Sequence, residues 1–249
     1  MENGAFFVPW FDKDGYIEGI NGKKLLVLGA SFYCNQDGKR NERCEYYDDC
    51  TINQNTRKYD LCCPYNNGRP LHDLPTNDLC EDAPAHKNFF DLFKEFLGDK
   101  ELNFDDFWKR AAFTNYVQHE LGNRTDTQAS DCKEEYLVMF EDVLSKLPQI
   151  PDVVITWGSI IDKELKKKKK SDKYPNFENT CNKNDCYKFL WKNYAGKDIT
   201  FLCFYHPCCK KWFRNKKEWC YMLDLLKKEF SSSISLIPQH FDLTLFISS

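Results

Sequence analysis

Three groups of residues in this chain have the types and spacing to do chemistry. The first is His206-Pro-Cys-Cys-Lys-Lys-Trp-Phe-Arg214, followed by Lys216 and Lys217, where cations and aromatic rings are interleaved. Lys210, Lys211, Arg214, Lys216 and Lys217 could neutralise phosphates, with Trp212 and Phe213 placed among them. The second is Asn115, whose carboxamide holds donor and acceptor in one plane. Each has a plainer alternative: Trp212 and Phe213 packing the helix that follows, and Asn115 bonding nearby backbone. The third is Cys44, Cys50, Cys62, Cys63 and Cys80 with His72 among them, enough ligands for a tetrahedral zinc. The spacing is not a recognised zinc pattern and no C-x2-C occurs, so free thiols are preferred to a structural metal. Lys166 to Lys170 is a run of five lysines without interleaved aromatics, which reads as a solvated surface segment.

The elements that must position these groups can be read from periodicity. Lys24 to Ala30 is a short apolar run ended by glycine, as expected of a buried parallel strand opening into a loop. Residues 34 to about 87 are rich in Asn, Asp, Gly, Pro and Cys without periodicity and read as a long insertion. Phe89, Phe93, Phe96 and Leu97 recur at helical spacing, and Phe104, Phe107 and Trp108 continue a second helical stretch. Ala111 to Val117 is a second strand with Asn115 near its carboxyl end. A helix over Asp131–Leu147, a third strand over Asp152–Trp157 and a helix from near Ile160 come next. A fourth strand over Ile199–Phe204 and a helix from about Lys216 to Phe230 complete the pattern. Strands alternating with helices predict a three-layer α/β/α sandwich around a central, mainly parallel four-stranded sheet, with sites beyond the carboxyl ends of the strands. Gly29, Asn115, Gly158 and His206 fall at such ends, and Ser31, Asn115 and His206 are expected to converge on one cleft.

Composition sets the outer bounds. At 249 residues the chain can bury a substantial core and is read as one domain over 1–249 with a Cys-rich insertion at about 34–87. No stretch approaches the length of a membrane span, and Met1-Glu2-Asn3-Gly4 has no basic region leading into an apolar run, so an intracellular protein is expected. Thirteen cysteines, an odd number with adjacent pairs at Cys62-Cys63 and Cys208-Cys209, suit reduced thiols better than a disulfide scaffold. A net charge of -3 removes any argument from global basicity, so nucleic-acid binding must rest on local patches. The absence of G-x-G-x-x-G and of G-x-x-x-x-G-K-[ST] disfavours a nucleotide-processing enzyme of another α/β family.

Read in order, the four strand ends resemble the motifs of the uracil-DNA glycosylase superfamily, over about residues 24 to 230. Gly29-Ala-Ser-Phe-Tyr33 stands where that family has Gly-x-Asp-Pro-Tyr, matching in glycine and tyrosine but not in the carboxylate. Ala112-Phe-Thr-Asn115 looks like its apolar strand ending in asparagine, and Val154-Ile-Thr-Trp-Gly158 like its run ending in Trp-Gly. His206-Pro, with Phe213-Arg214 in register, is similar to the family's His-Pro-Ser loop closed by Tyr-Arg.

The resemblance implies a monofunctional glycosylase that flips a base out of DNA and hydrolyses its N-glycosidic bond. His206 would then donate to the departing base, Asn115 would read it, and Gly29, Ala30, Phe32 and Tyr33 would wall the pocket, Tyr33 restricting substituents on the base. Ser31 takes the place of the water-orienting carboxylate and cannot supply its charge. Lys210, Lys211, Trp212, Phe213 and Arg214 would engage DNA, Trp212 or Phe213 as the apolar wedge in the base stack. The implied enzyme is a monomer that needs no cofactor or metal and acts on uracil or a modified cytosine, in DNA repair or in defence against phage with modified DNA. The rival is a recognition module on the same fold that binds DNA or a base without cutting, a possibility to which Ser31 lends weight.

Overall fold

The computed structural model describes residues 9–30, 84–117, 132, 136–158, 160–161, 163–164, 177–183 and 186–231. Short helix α1 (Lys13–Glu18) starts at Asp12, whose carboxylate accepts the Gly15 N–H at 2.8 Å, and precedes β1 (Leu25–Gly29), which is buried throughout. After β1 come α2 (Pro84–Leu97), α3 (Phe104–Lys109) and β2 (Ala111–Asn115). Then follow α4 (Tyr136–Lys146) and β3 (Val153–Trp157). The remaining elements are β4 (Phe177–Lys183), β5 (Cys186–Tyr194), β6 (Lys197–Phe204), α5 (Lys210–Phe213) and α6 (Lys216–Phe230).

The strands form one sheet in the order β2-β1-β3-β6-β5-β4. β2, β1, β3 and β6 run parallel to their neighbours, while β5 and β4 are added antiparallel beyond β6. The α/β architecture and the four parallel strands agree with the sequence pattern, but the expected four-stranded sheet is corrected to six. The added strands carry Lys and Asn between their apolar residues, which hides them from a search for apolar runs.

Period-two alternation divides the sheet cleanly between two cores. Leu25, Val27, Ala111, Phe113, Val153, Ile155, Trp157, Leu202 and Phe204 face one side, against α2, α3 and α6. Leu26, Leu28, Ala112, Val154, Phe201 and Cys203 face the other, against Tyr136, Phe140, Val143 and Leu144 of α4. Helices therefore cover both faces, which gives the three layers. The path from β1 through α2 and α3 to β2 moves one way along the sheet; the path through α4 to β3 moves back past β1. Right-handed crossovers in opposite directions put their helices on opposite faces and leave a crevice beyond the carboxyl ends of β1 and β3.

The first core is dense in aromatic rings. Phe89 lies 5.0 Å from Phe93 and 5.1 Å from Trp157, and Phe93 lies 5.0 Å from Phe107, centroid to centroid. Such pairs contribute about 0.5–1.5 kcal/mol each beyond the area they bury. The amino ends of the strands are pinned by Asp152, whose carboxylate accepts the Lys24 N–H at 2.7 Å and pairs with Lys197 Nζ at 2.9 Å. At the sheet's β2 edge, Trp10 exchanges two backbone hydrogen bonds with Phe113, of 2.8 and 2.9 Å.

Candidate functional site

Strand register brings the sequence-predicted strand ends to one level. Gly29 pairs with Asn115, Leu28 with Thr156, and Trp157 with Phe204, so Asn115, Gly29, Trp157 and Phe204 form a line across the four parallel strands. Their side chains share the face occupied by α2 and α6. Asn115 and the end of β6 are three strand spacings apart, about 14 Å. The Asn115 side chain closes part of that gap by leaning over Gly29: a Cβ on Gly29 would overlap Asn115 Oδ1 and come within 3.1 Å of Phe113 Cζ. Glycine is thus required at position 29 to admit the carboxamide, and between Asn115 and the end of β6 the same face carries the buried rings of Trp157 and Phe204.

His206 stands two residues beyond β6. Its backbone carbonyl accepts the Cys209 N–H at 2.8 Å, and its Nδ1 accepts the Cys208 N–H at 3.2 Å. A nitrogen that accepts carries no proton, so the neutral ring holds its proton on Nε2 and offers it as a donor. Burial pushes the imidazole below its ordinary value, so this neutral form dominates near neutral pH. The ring meets Trp157 edge-on at 6.0 Å, and Gly158, at φ +100°, donates its N–H to the Phe204 carbonyl at 2.8 Å. A Cβ on Gly158 would lie 3.8 Å from His206 Cβ, so the turn after β3 runs beside the histidine.

The floor below is aromatic. His86, in the first turn of α2, packs on Phe113, Trp108 and Trp157 with ring centroids 5.3, 5.7 and 5.7 Å away. Sequence reasoning missed His86 and its neighbour Asn88, which is buried and bonds the loop after His206. Asn88 Nδ2 donates to the Pro207 carbonyl at 2.8 Å, and Arg214 Nη2 donates to Asn88 Oδ1. Within a helix an asparagine carries no signal of such a role.

The segment from 210 to 214 departs from expectation at one position. Phe213 is fully buried in the aromatic core and meets Trp219 of α6 edge-on at 5.5 Å, so it cannot be a wedge for a base stack in this conformation. It anchors α5 instead, the plainer of the two roles open to it. Lys211, Arg214, Lys216 and Lys217 are exposed, as groups that meet phosphates must be. Of the other sequence-predicted residues, Ala30 follows β1 and is partly buried, its carbonyl accepting the Val117 N–H at 2.9 Å. Ser31, Phe32 and Tyr33 lie outside the described residues, as do the side chains of Lys210 and Trp212, the cysteines of the 34–87 segment with His72, and Lys166 to Lys170. Among the described residues no group of three or more His, Cys, Asp or Glu could hold a metal ion, and no helix is long and apolar enough to cross a membrane.

Taken together, the described residues define an α/β sandwich whose parallel strands carry, at their carboxyl ends, the Asn115 carboxamide on β2 and the neutral imidazole of His206 after β6. No protein-family model matches the chain, and no curated protein matches it.

Proposed function

We propose that this chain is a DNA glycosylase of the uracil-DNA glycosylase type, excising a pyrimidine, either uracil or a modified cytosine. The observation that carries the proposal is His206: a largely buried, neutral imidazole two residues beyond β6, with Nδ1 engaged by the Cys208 N–H, at the same end of the parallel strands as Asn115. When an N-glycosidic bond breaks, negative charge grows on the departing base, and a preorganised neutral donor lowers that barrier without first needing to be protonated. Such a donor is worth about 10²–10³ in rate. Asn115 would read the base edge, and the exposed cations Lys211, Arg214, Lys216 and Lys217 would hold the phosphates around a flipped nucleotide. With Phe213 buried, Trp212 is the remaining apolar candidate for the wedge.

The chemistry calls on no cofactor or metal, and we propose that the protein acts as an intracellular monomer in repair or in defence against modified phage DNA. Ser31 in place of a carboxylate favours a second reading, a module that recognises DNA or a base without cleaving it. Incubation with duplexes carrying a panel of modified bases, followed by alkaline cleavage at abasic sites, separates the two. Excision that falls about 10²-fold or more in His206→Ala with DNA affinity retained is the expected result. Wild-type protein that binds DNA yet releases no base across the panel, with His206→Ala indistinguishable from it, overturns catalysis in favour of recognition.

A further inference from the structure

We propose that Asn88 is a positioning residue that couples Arg214 to the backbone turn holding His206. Its carboxamide is buried and lies between two groups of opposite demand: the Pro207 carbonyl, which can only accept, and the Arg214 guanidinium, which can only donate. These partners fix a single orientation of the amide, Nδ2 toward Pro207 and Oδ1 toward Arg214. The Pro207 carbonyl alone favours this orientation and the guanidinium adds the second anchor. Without the guanidinium, Oδ1 is left a buried acceptor that has lost its Arg214 donor, and the amide is held toward Pro207 more loosely about its terminal torsion. Pro207 is bonded directly to His206 in the chain and lies inside the turn closed by the Cys209 N–H and the His206 carbonyl. The same turn delivers the Cys208 N–H to Nδ1 of the ring. Displacing Pro207 therefore displaces the group that fixes the imidazole tautomer.

Arg214 is exposed and has five N–H donors, so it can hold Asn88 and still meet a phosphate. A cation on the outer surface is thereby linked through one buried amide to the donor in the crevice. The kinetic consequence rests on the glycosylase proposal; the effect on the histidine itself does not.

The test uses the full chain labelled with ¹⁵N-histidine and reads the His206 ring nitrogens at mildly alkaline pH without DNA. Wild type should show the Nε2–H tautomer. Asn88→Asp, which keeps the acceptor for Arg214 but loses the donor to Pro207, should shift His206 toward a tautomer mixture. Arg214→Ala, at an exposed position that should not threaten folding, should shift it in the same direction, and Arg214→Lys should restore part of the wild-type pattern. Where excision is measurable, Asn88→Asp should reduce it about 10²-fold, the cost of slight misplacement of a reacting group, without a matching loss of DNA affinity. Unchanged His206 signals in folded Asn88→Asp, or in Arg214→Ala should the first variant not fold, overturn the proposal. Shifted signals in the variants, together with a wild-type protein that excises no base, support Asn88 as the positioning residue while overturning the glycosylase proposal, so the two failures are distinct.

Discussion

An imidazole that accepts a backbone N–H on one nitrogen and rests against an indole, as His206 does, gains little from a proton and loses a hydrogen bond by taking one. Its folded-state value lies below the ordinary value of about 6.5, so between the two values the unfolded chain binds more protons and stability rises with pH. The contribution is complete above the ordinary value and is lost as pH falls toward the depressed one. Urea unfolding of wild type and His206→Asn at several pH values should show this slope in the first and less of it in the second; parallel curves would contradict it. Gly29 offers a sharper test of the pocket wall. Gly29→Ala forces Asn115 aside or strains the backbone, and overpacking of this kind costs about 1–3 kcal/mol. Thermal unfolding should show that loss, together with weaker discrimination between bases wherever excision is detected.

Helix α6 shows how much an element can announce about itself. Asn215 caps it by accepting the Lys217 N–H at 3.0 Å, Lys227 and Lys228 close its last turn, and its apolar stripe is regular, so its bounds agree with those read from periodicity. What the stripe cannot announce is the partner that completes it. Phe213 sits among lysines in a segment whose pattern fits a DNA-facing loop equally well, and only packing assigns it to the core. Truncating a fully buried phenylalanine costs about 3–5 kcal/mol, so Phe213→Ala should lower the unfolding midpoint markedly, whereas Lys211→Glu should leave it nearly unchanged. A Phe213→Ala protein as stable as wild type would show that the side chain does not hold α5 down. The hairpin of β5 and β6 is hidden for a different reason. Its connection places Asn193, Ala195 and Gly196 at φ of 54°, 48° and 84°, and alanine at positive φ is not a residue from which a turn is read. The strand ends are legible because each parallel strand is a short apolar run with a clear stop. Asn88 is not, because its function depends on a loop more than a hundred residues away.

At the scale of the whole molecule, a net charge of -3 and a local set of exposed cations after β6 must coexist. If DNA binds there, affinity should fall with salt, and reversing the charges of Lys210, Lys211 and Arg214 should flatten that dependence by about one unit of slope for each phosphate no longer neutralised. Titrations at several salt concentrations decide it, and an unchanged slope would place DNA elsewhere on the surface. The sheet that carries this site has two open flanks, and the protein treats them differently. On β4 the exposed Glu178 pairs with Lys192 of β5 at 2.9 Å, putting charge at that margin. On β2 the protection is backbone: Trp10 occupies the N–H and carbonyl of Phe113 that another strand would otherwise seek. Trp10 is thereby expected to guard this margin against self-association. A chain shortened to begin at Asp12 should keep its sandwich at high dilution yet scatter light increasingly as concentration rises, and a shortened chain that stays monodisperse would show that the β2 margin needs no such guard.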